Sequence, residues 1–334
     1  MKSPITGKEM RLTKEKRSME FRKESLEIVF HYFQCADSGE QFTTTDLDEI
    51  NTNQVYNQYR DKLNIPFPDE ITRIREKYGL SAARMSEILG FGVNSYRQYE
   101  AGEMPSAANA KLIQMAADPK KFIDMVELCS SLDEKTKARH IQKANQLVEE
   151  KQRNLFRTSF QDYLFGSHLA DIYSGYRNPD LAKFTEMVVF FAEQLSPYKT
   201  KMNKLLFYAD FMMFRKSCFS ISGVRYRAID MGPVPNNYQS IFEYIANSQE
   251  VDIHTTEFPD GYTGEQFKTR QDRRFNPAMF SEQELKTLHK VVDLFKDTST
   301  RQIIHLSHLE SAWKRNETAK TLISYAYAFE LEQF

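Results

Sequence analysis

Ser81-Ala82-Ala83-Arg84-Met85-Ser86-Glu87-Ile88-Leu89-Gly90-Phe91-Gly92-Val93-Asn94-Ser95-Tyr96-Arg97-Gln98-Tyr99-Glu100 is the stretch that decides the fold class. Two short helical patterns, at 81–89 and 93–100, flank a turn carrying Gly90 and Gly92. A third, at 69–78, precedes them across Gly79. Glycine just past a helical run acts as a C-cap. Ile71, Ile74, Leu80, Ala83, Ile88, Leu89, Val93 and Tyr96 would then form one small trihelical core. This is the layout of a helix-turn-helix, whose second helix enters the major groove. The groove-facing candidates are Asn94, Ser95, Arg97 and Gln98. Asn and Gln pair bidentately with adenine, and Arg with guanine. Ser81 would cap the preceding helix, where amide N–H groups meet a phosphate, and Arg84 lies near the same edge. Glu100 reads as a structural or capping partner. A plain three-helix packing unit is the bland alternative. Modules of this kind bind palindromic sites as dimers, so a homodimer is expected.

Working outward, the helical region spans 46–130, with further helices at 46–62, 107–116 and 119–129. Ile65-Pro66-Phe67-Pro68 ends the first of these, because proline lacks the N–H. Residues 131–160 are highly charged and read as a solvated connecting helix. Residues 1–45 hold two turn-like stretches, Ser3-Pro4-Ile5-Thr6-Gly7 and Cys35-Ala36-Asp37-Ser38-Gly39-Glu40, around a strand at 25–33. So small a β module has little core and needs a metal or a neighbour. In the third region, 161–334, amphipathic helices are expected at 184–195 and 201–214, the second with Met202, Leu205, Leu206, Ala209 and Met213 on one stripe. A strand follows at 221–229. Gly232-Pro233-Val234-Pro235 reads either as a rigid turn or as a preformed loop presenting Tyr238. Then come a helix at 237–247, a hairpin or long loop at 251–274, and helices at 281–295, 300–315 and 319–330. The fold class is mainly α (α+β): a β ribbon-like module, a helix-turn-helix bundle and a larger helical domain with a short β element.

Length and composition narrow the function. At about 150 residues per domain, 334 residues imply two or three units. Lys plus Arg is 45 and Asp plus Glu is 46, so any nucleic-acid surface must be local. No apolar run approaches the ~18 residues that span a bilayer, and no membrane partner is expected. The charged N-terminus has no secretory apolar core. Three scattered cysteines, Cys35, Cys129 and Cys218, suit a reducing cytoplasm. There is no phosphate-cradling glycine loop, no HExxH and no Gly-x-Ser-x-Gly, so an enzyme is not expected. His305 and His308 share a helix face but lack a third ligand, so no metal and no cofactor are assigned. His308 reads better as a hydrogen-bonding residue, and Trp313 as core or, if exposed, as an interface anchor.

The residues 86–102 follow the pattern Gly-Val-Asn, an aromatic, then Arg-Tyr-Glu and Gly, and 42–127 resembles the MqsA-type antitoxin and repressor family. Asn94 matches that family's base-reading asparagine. Its arginine reader falls at Gln98 here, with Arg97 one residue earlier. The N-terminal turns resemble the family's zinc ribbon with its ligands lost. Cys-Pro-x-Cys-Gly stands as Ser3-Pro4-Ile5-Thr6-Gly7, and Cys-x-x-Cys-Gly-Glu as Cys35-Ala36-Asp37-Ser38-Gly39-Glu40. Structural zinc wants about four N or S ligands, and hydroxyls are poor ones. The expectation is a ribbon shape without zinc, held by apolar packing; a rescued site using His31 with Cys35 is the weaker reading.

The segments 201–210, 221–235 and 306–313 resemble the Panacea (SocA-like) antitoxin domain, over about 165–330. Domains of this kind neutralise toxins encoded beside them. The combination implies an antitoxin that masks a cognate toxin sterically and represses its own operon by binding operator DNA. Candidate toxin contacts are Tyr208, Arg225, Pro233, Tyr238, His308, Glu310 and Trp313. Two other readings stay open. A stand-alone transcriptional regulator with a ligand-sensing C-terminal domain would show a deep apolar pocket. A hydrolase would show a cleft of carboxylates with perturbed pKa values.

Overall fold

In the computed structural model, all residues are described except Asn154, Pro259, Asp260, Tyr262, Gln333 and Phe334, and the side chains of 151–158 are set aside. Parts of the expected 131–160 connector, of the 251–274 segment and of the C-terminal end therefore lie outside the described residues. The fold is mainly α with small sheets. The chain divides into two units. The first holds Met1–Glu20, Ser25–Val55 and Tyr163–Phe334, and the second holds Phe21–Glu24 and Tyr56–Asp162.

The first unit opens with strands β1 (Arg11–Phe21), β2 (Glu24–Gln34) and β3 (Gln41–Phe42) in that spatial order. β1 does not figure in the sequence reading. Its residues are mostly exposed or half-buried, so they lack the apolar alternation of a strand with one covered face. Helix α1 (Thr45–Leu63) follows. Its amides substitute for a strand: Asn51 Oδ1 accepts from His31 N (2.8 Å) and Gln54 Oε1 from Val29 N (2.9 Å). The same two side chains donate to His31 O (3.0 Å) and Val29 O (2.8 Å). Backbone groups of β2 that would otherwise lie open at an edge are thereby paired. The neighbour that the small module requires is the C-terminal part of the same unit. Lys14 Nζ donates to Phe329 O (2.8 Å), the His31 ring packs on Phe329 (5.1 Å), and Cys218 Sγ donates to Ile50 O (3.5 Å).

The second unit follows the helical pattern closely, with α2 (Pro68–Glu76), α3 (Ala82–Ile88), α4 (Ser95–Glu100), α5 (Ala107–Ala116) and α6 (Pro119–Leu128). Gly79, Gly90 and Gly102 take positive φ (66°, 70° and 105°) at the ends of α2, α3 and α4, a conformation that side chains with a Cβ resist. The core holds Ile71, Ile74, Leu80, Ile88, Leu89 and Tyr96 as expected. Two expected members are not in it: Ala83 is exposed and Val93 is 74% exposed. Met85, Tyr99, Ile113 and Phe122 fill the space instead. The charged helix α7 (Glu134–Arg153) lays Ile141, Ala144 and Leu147 on this core, so its inner face is apolar. Helix α8 (Leu155–Phe165) follows in the chain.

There α9 (Leu181–Leu195) and α10 (Lys199–Ser217) are followed by β4 (Tyr226–Ile229), β5 (Gly232–Pro235), α11 (Tyr238–Asn247), β6 (Asp252–Glu257) and β7 (Thr263–Lys268). Helices α12 (Glu282–Phe295), α13 (Thr300–Leu309) and α14 (Ser311–Lys314) and strand β8 (Leu322–Ile323) complete it. Four readings are corrected here. Helix α10 has no solvent-facing side opposite its apolar stripe, because every residue from Lys201 to Phe214 is buried. Gly232–Pro235 is a strand, on the edge of the sheet β5-β4-β8, where a proline without an N–H is tolerated. The helix at 300–315 breaks at Glu310, whose ψ of 135° is extended. The stretch expected as a helix at 319–330 is β8 plus a 3-10 turn at Tyr325–Glu330. Among the described residues, no helix is long and apolar enough to cross a membrane.

Candidate functional sites

Helix α4 is sorted cleanly into an inner and an outer side. Tyr96 is fully buried; its N–H donates to Ser86 Oγ (3.0 Å) and its hydroxyl to Ile71 O (2.8 Å). Tyr99 accepts from Asn109 Nδ2 (2.8 Å), and Glu100 pairs with Arg75 Nε (2.5 Å), which ties α2 to α4. These inward bonds fix the helix. Asn94, Arg97 and Gln98 are exposed and Ser95 is half-buried. Asn94 occupies the N-cap position of α4 without making a side-chain cap bond. Ser81 caps α3, accepting from Arg84 N at 3.2 Å. The Arg84 guanidinium is held by Glu87 at 2.6 Å, so reaching a phosphate would require leaving that pair. Val93 adjoins Asn94 and is exposed. Sequence reasoning counted it as core, yet an exposed apolar residue just before an exposed N-cap asparagine is also of a type that can meet a thymine methyl.

The two N-terminal turns place Ser3, Thr6, Cys35 and Ser38 together. Gly7 N donates to Ser3 O and Gly39 N to Cys35 O, both at 2.9 Å, with φ of 69° and 71° at the glycines. The two turns thus share one geometry. Thr6 Oγ1 lies 3.4 Å from Cys35 Sγ. Hydrogen bonds from Ser38, Thr6 and Ser3 lower the Cys35 thiol to about 6. One thiolate with three hydroxyls does not fit zinc, which requires nitrogen or sulfur donors. Among the described residues, no group of three or more His, Cys, Asp and Glu is placed to hold a metal. His31 turns its ring onto Phe329.

In the C-terminal region the expected contact residues separate into two groups. Tyr208, Pro233 and Glu310 are buried. The Tyr208 hydroxyl donates to Glu310 Oε1 (3.4 Å), and Glu332 N donates to Glu310 Oε2 (3.0 Å). Pro233 O accepts from Lys204 Nζ (3.0 Å). Arg225, Tyr238, His308 and Trp313 are half-buried and reach the surface. His308 stacks on Trp313 (3.8 Å, 9° between planes), and Trp313 Nε1 donates to Ile229 O (2.8 Å). Burial, then Lys204, lowers the pKa of His308. Beside them, at the β4–β5 turn, Met231 is exposed. At the other end of the same hairpin, Arg225 pairs with Asp171 (2.5 Å), and Asn237 Nδ2 donates to Tyr163 O and Leu164 O (both 3.3 Å). Tyr163, Leu169 and Tyr173 are exposed on that segment, 67%, 71% and 38%. None was singled out from sequence, since isolated apolar residues in a connecting stretch carry no periodicity.

With this geometry in view, two family models account for most of the chain. Residues 1–127 match the antitoxin component of bacterial toxin-antitoxin systems, MqsA, and residues 202–314 match the SocA-like antitoxin Panacea domain. The chain combines an MqsA-type antitoxin region with a Panacea region. No curated protein matches it. The MqsA-type match contains the two turns and α4. The Panacea match contains α10 from Met202 onward, the β4–β5 hairpin and the His308–Trp313 stack. Both matched families are antitoxin families, which supports an antitoxin role.

Proposed function

We propose that this chain is the antitoxin of a toxin–antitoxin pair and also the repressor of its own operon. The observation that carries the reading is that two regions matching antitoxin families are joined in one chain. Helix α4 would read operator DNA in the cytoplasm as part of a homodimer, with Asn94 and Gln98 facing adenines and Arg97 a guanine or phosphate. Ser95, Ser81 and Arg84 would approach the backbone. The Panacea region would cover a cognate toxin through Arg225, Tyr238, His308 and Trp313, with Tyr163, Leu169, Tyr173 and Met231 adding apolar area. Half-buried aromatic and arginine anchors with exposed apolar groups at both ends of the hairpin suit such a contact. Buried Tyr208, Pro233 and Glu310 would shape that face from behind. Neutralisation would be steric, with no reaction step.

The test is co-expression of the full chain with the adjacent open reading frame. The expected result is a neighbour that arrests growth alone and is harmless and co-purified with this chain. Trp313→Ala together with Tyr238→Ala should weaken co-purification without unfolding the chain. A harmless neighbour that does not co-purify would sink the reading.

A further inference from the structure

A cavity of about 560 Å³ lies in the first unit, walled by β1, β2, α1, α10 and α12. Its volume is in the range of small-molecule sites. Lys14, Arg215, Lys216 and Lys290 line it, against two carboxylates, Asp46 and Glu49, both exposed. Three of the cations at its inner end donate to neutral acceptors, among other contacts. Lys14 donates to Phe329 O (2.8 Å), Arg215 to Leu331 O (3.3 Å) and Lys216 to Thr287 Oγ1 (3.3 Å). Glu310 also attracts Arg215 electrostatically. His31, 3% exposed, lines the same cavity, and its Nδ1 has no hydrogen-bond partner among the described residues.

These groups crowd one another electrostatically. Burial and then Arg215 bring the Lys14 pKa down to about 8. Burial and then Lys290 lower that of Lys216. Burial, then Lys14, and also Arg215 take His31 down to about 4, so its ring is neutral at pH 7. Lys14, Arg215 and Lys216 are half-buried and Lys290 is exposed beside them, and an anion with several charges would relieve the repulsion among all four at once. Leu47, Ile50 and Met212 form an apolar wall beside them.

We propose that this cavity binds a small phosphate anhydride or ester carrying at least two negative charges, gripped by Lys14, Arg215, Lys216 and Lys290. Phosphate oxygens are strong acceptors for these donors, and Arg can meet two at once. An organic group on the phosphate would lie on Leu47, Ile50 and Met212. Lys14 belongs to the MqsA-type region, while Arg215, Lys216 and Lys290 belong to the Panacea region. The ligand would therefore clamp two separately matched regions within one unit. The site does not depend on the antitoxin reading.

Titration calorimetry on the full chain at low salt tests it, with pyrophosphate and adenosine diphosphate as probes. The expected result is one site per chain and a raised melting temperature. Arg215→Gln and Lys290→Glu should each weaken binding by about tenfold or more. Lys290 is exposed, so its variant keeps the fold if Arg215→Gln does not. Lys286→Gln, on the same helix but outside the cavity, should bind as the parent does. Binding of pyrophosphate assigns the site to the phosphates alone; binding of adenosine diphosphate only adds the apolar wall to it. Binding of neither, or binding that all three variants leave equal, overturns the proposal.

Discussion

Helices α4 and α10 carry polar side chains of the same kinds and put them to opposite uses. In α4, six residues long, Tyr96 and Tyr99 face inward while Arg97 and Gln98 face solvent. In α10, Lys201, Asn203, Lys204 and Asp210 are all buried. Each ionisable one is met from another element. Lys201 Nζ donates to Phe295 O (2.8 Å) and Thr298 O (2.5 Å), and Lys204 to Pro233 O (3.0 Å). Asp210 accepts from Ile221 N (2.7 Å), Ser222 N (2.9 Å), Ser222 Oγ (2.5 Å) and the Tyr226 hydroxyl (2.8 Å). The difference teaches that polar groups on a helix are available to a partner only where the helix is open. Where it is enclosed, the same residues fix the loops around it.

The sharpest way to break this contrast is Asp210→Ala. Four donors would lose their acceptor inside a core, at a cost of about 3–5 kcal/mol, as for removing one partner of a buried charged cluster. Urea unfolding of the full chain measures it. A loss below ~1 kcal/mol would show that α10 does not depend on its charged interior.

Lys204 gives the next largest effect, and it depends on pH. Burial lowers its pKa from the ordinary 10.5 to about 7. Between these values the unfolded chain holds a proton that the folded chain has released. Its contribution to stability therefore rises from about pH 7 to pH 10.5 and is flat and lowest below that window. Lys204→Met removes the slope. Melting temperatures of variant and parent should differ most, in the variant's favour, near pH 6, and that advantage should shrink steadily toward pH 10. A difference that is constant with pH would mean that the ammonium stays charged in the core.

On the open side of the comparison, Asn94→Ala should weaken operator binding by about 1–3 kcal/mol and relax the sequence preference at one position. Its stability should stay within about 0.5 kcal/mol of the parent, because the side chain is exposed and caps nothing. Fluorescence anisotropy with a melting curve reads both. A parallel fall in stability and binding would turn α4 into a second α10.

These helices also show which features were legible in the sequence. The bounds of α2 to α6 follow from glycine C-caps and capping residues such as Ser81, Ser106 and Asp118, which are local chemistry. The outward set on α4 was readable because its neighbours Tyr96 and Tyr99 fix the inner face. Only Val93 and Ala83 were misplaced, both small apolar residues at helix starts. The interior of α10 was not readable. Its apolar stripe is real, but enclosure by α9, α12, α13 and β5 buries the other faces too, and that is a tertiary outcome. The same limit applies to Tyr208 and Glu310, which face each other 102 residues apart. Strand β1 was missed for the opposite reason, since too little of it is buried to leave a pattern.

The smallest expected effect is the most informative about how α4 would read DNA. Asn94, Arg97 and Gln98 stand at i, i+3 and i+4, so all three share one helix face. Gln98 N donates to Asn94 O at 3.0 Å, which fixes their spacing. Gln98→Arg restores the residue type of the MqsA-type pattern on a surface where it disturbs nothing, so stability should change by less than about 0.5 kcal/mol. If the new guanidinium reaches a phosphate, affinity rises for every sequence and the salt slope steepens by about 0.9. If it reaches a base edge, affinity rises only where guanine lies opposite, while the slope hardly moves. In the first case Arg97 already holds the base-reading place. In the second, the parent's Gln98 does, and an adenine is expected opposite it.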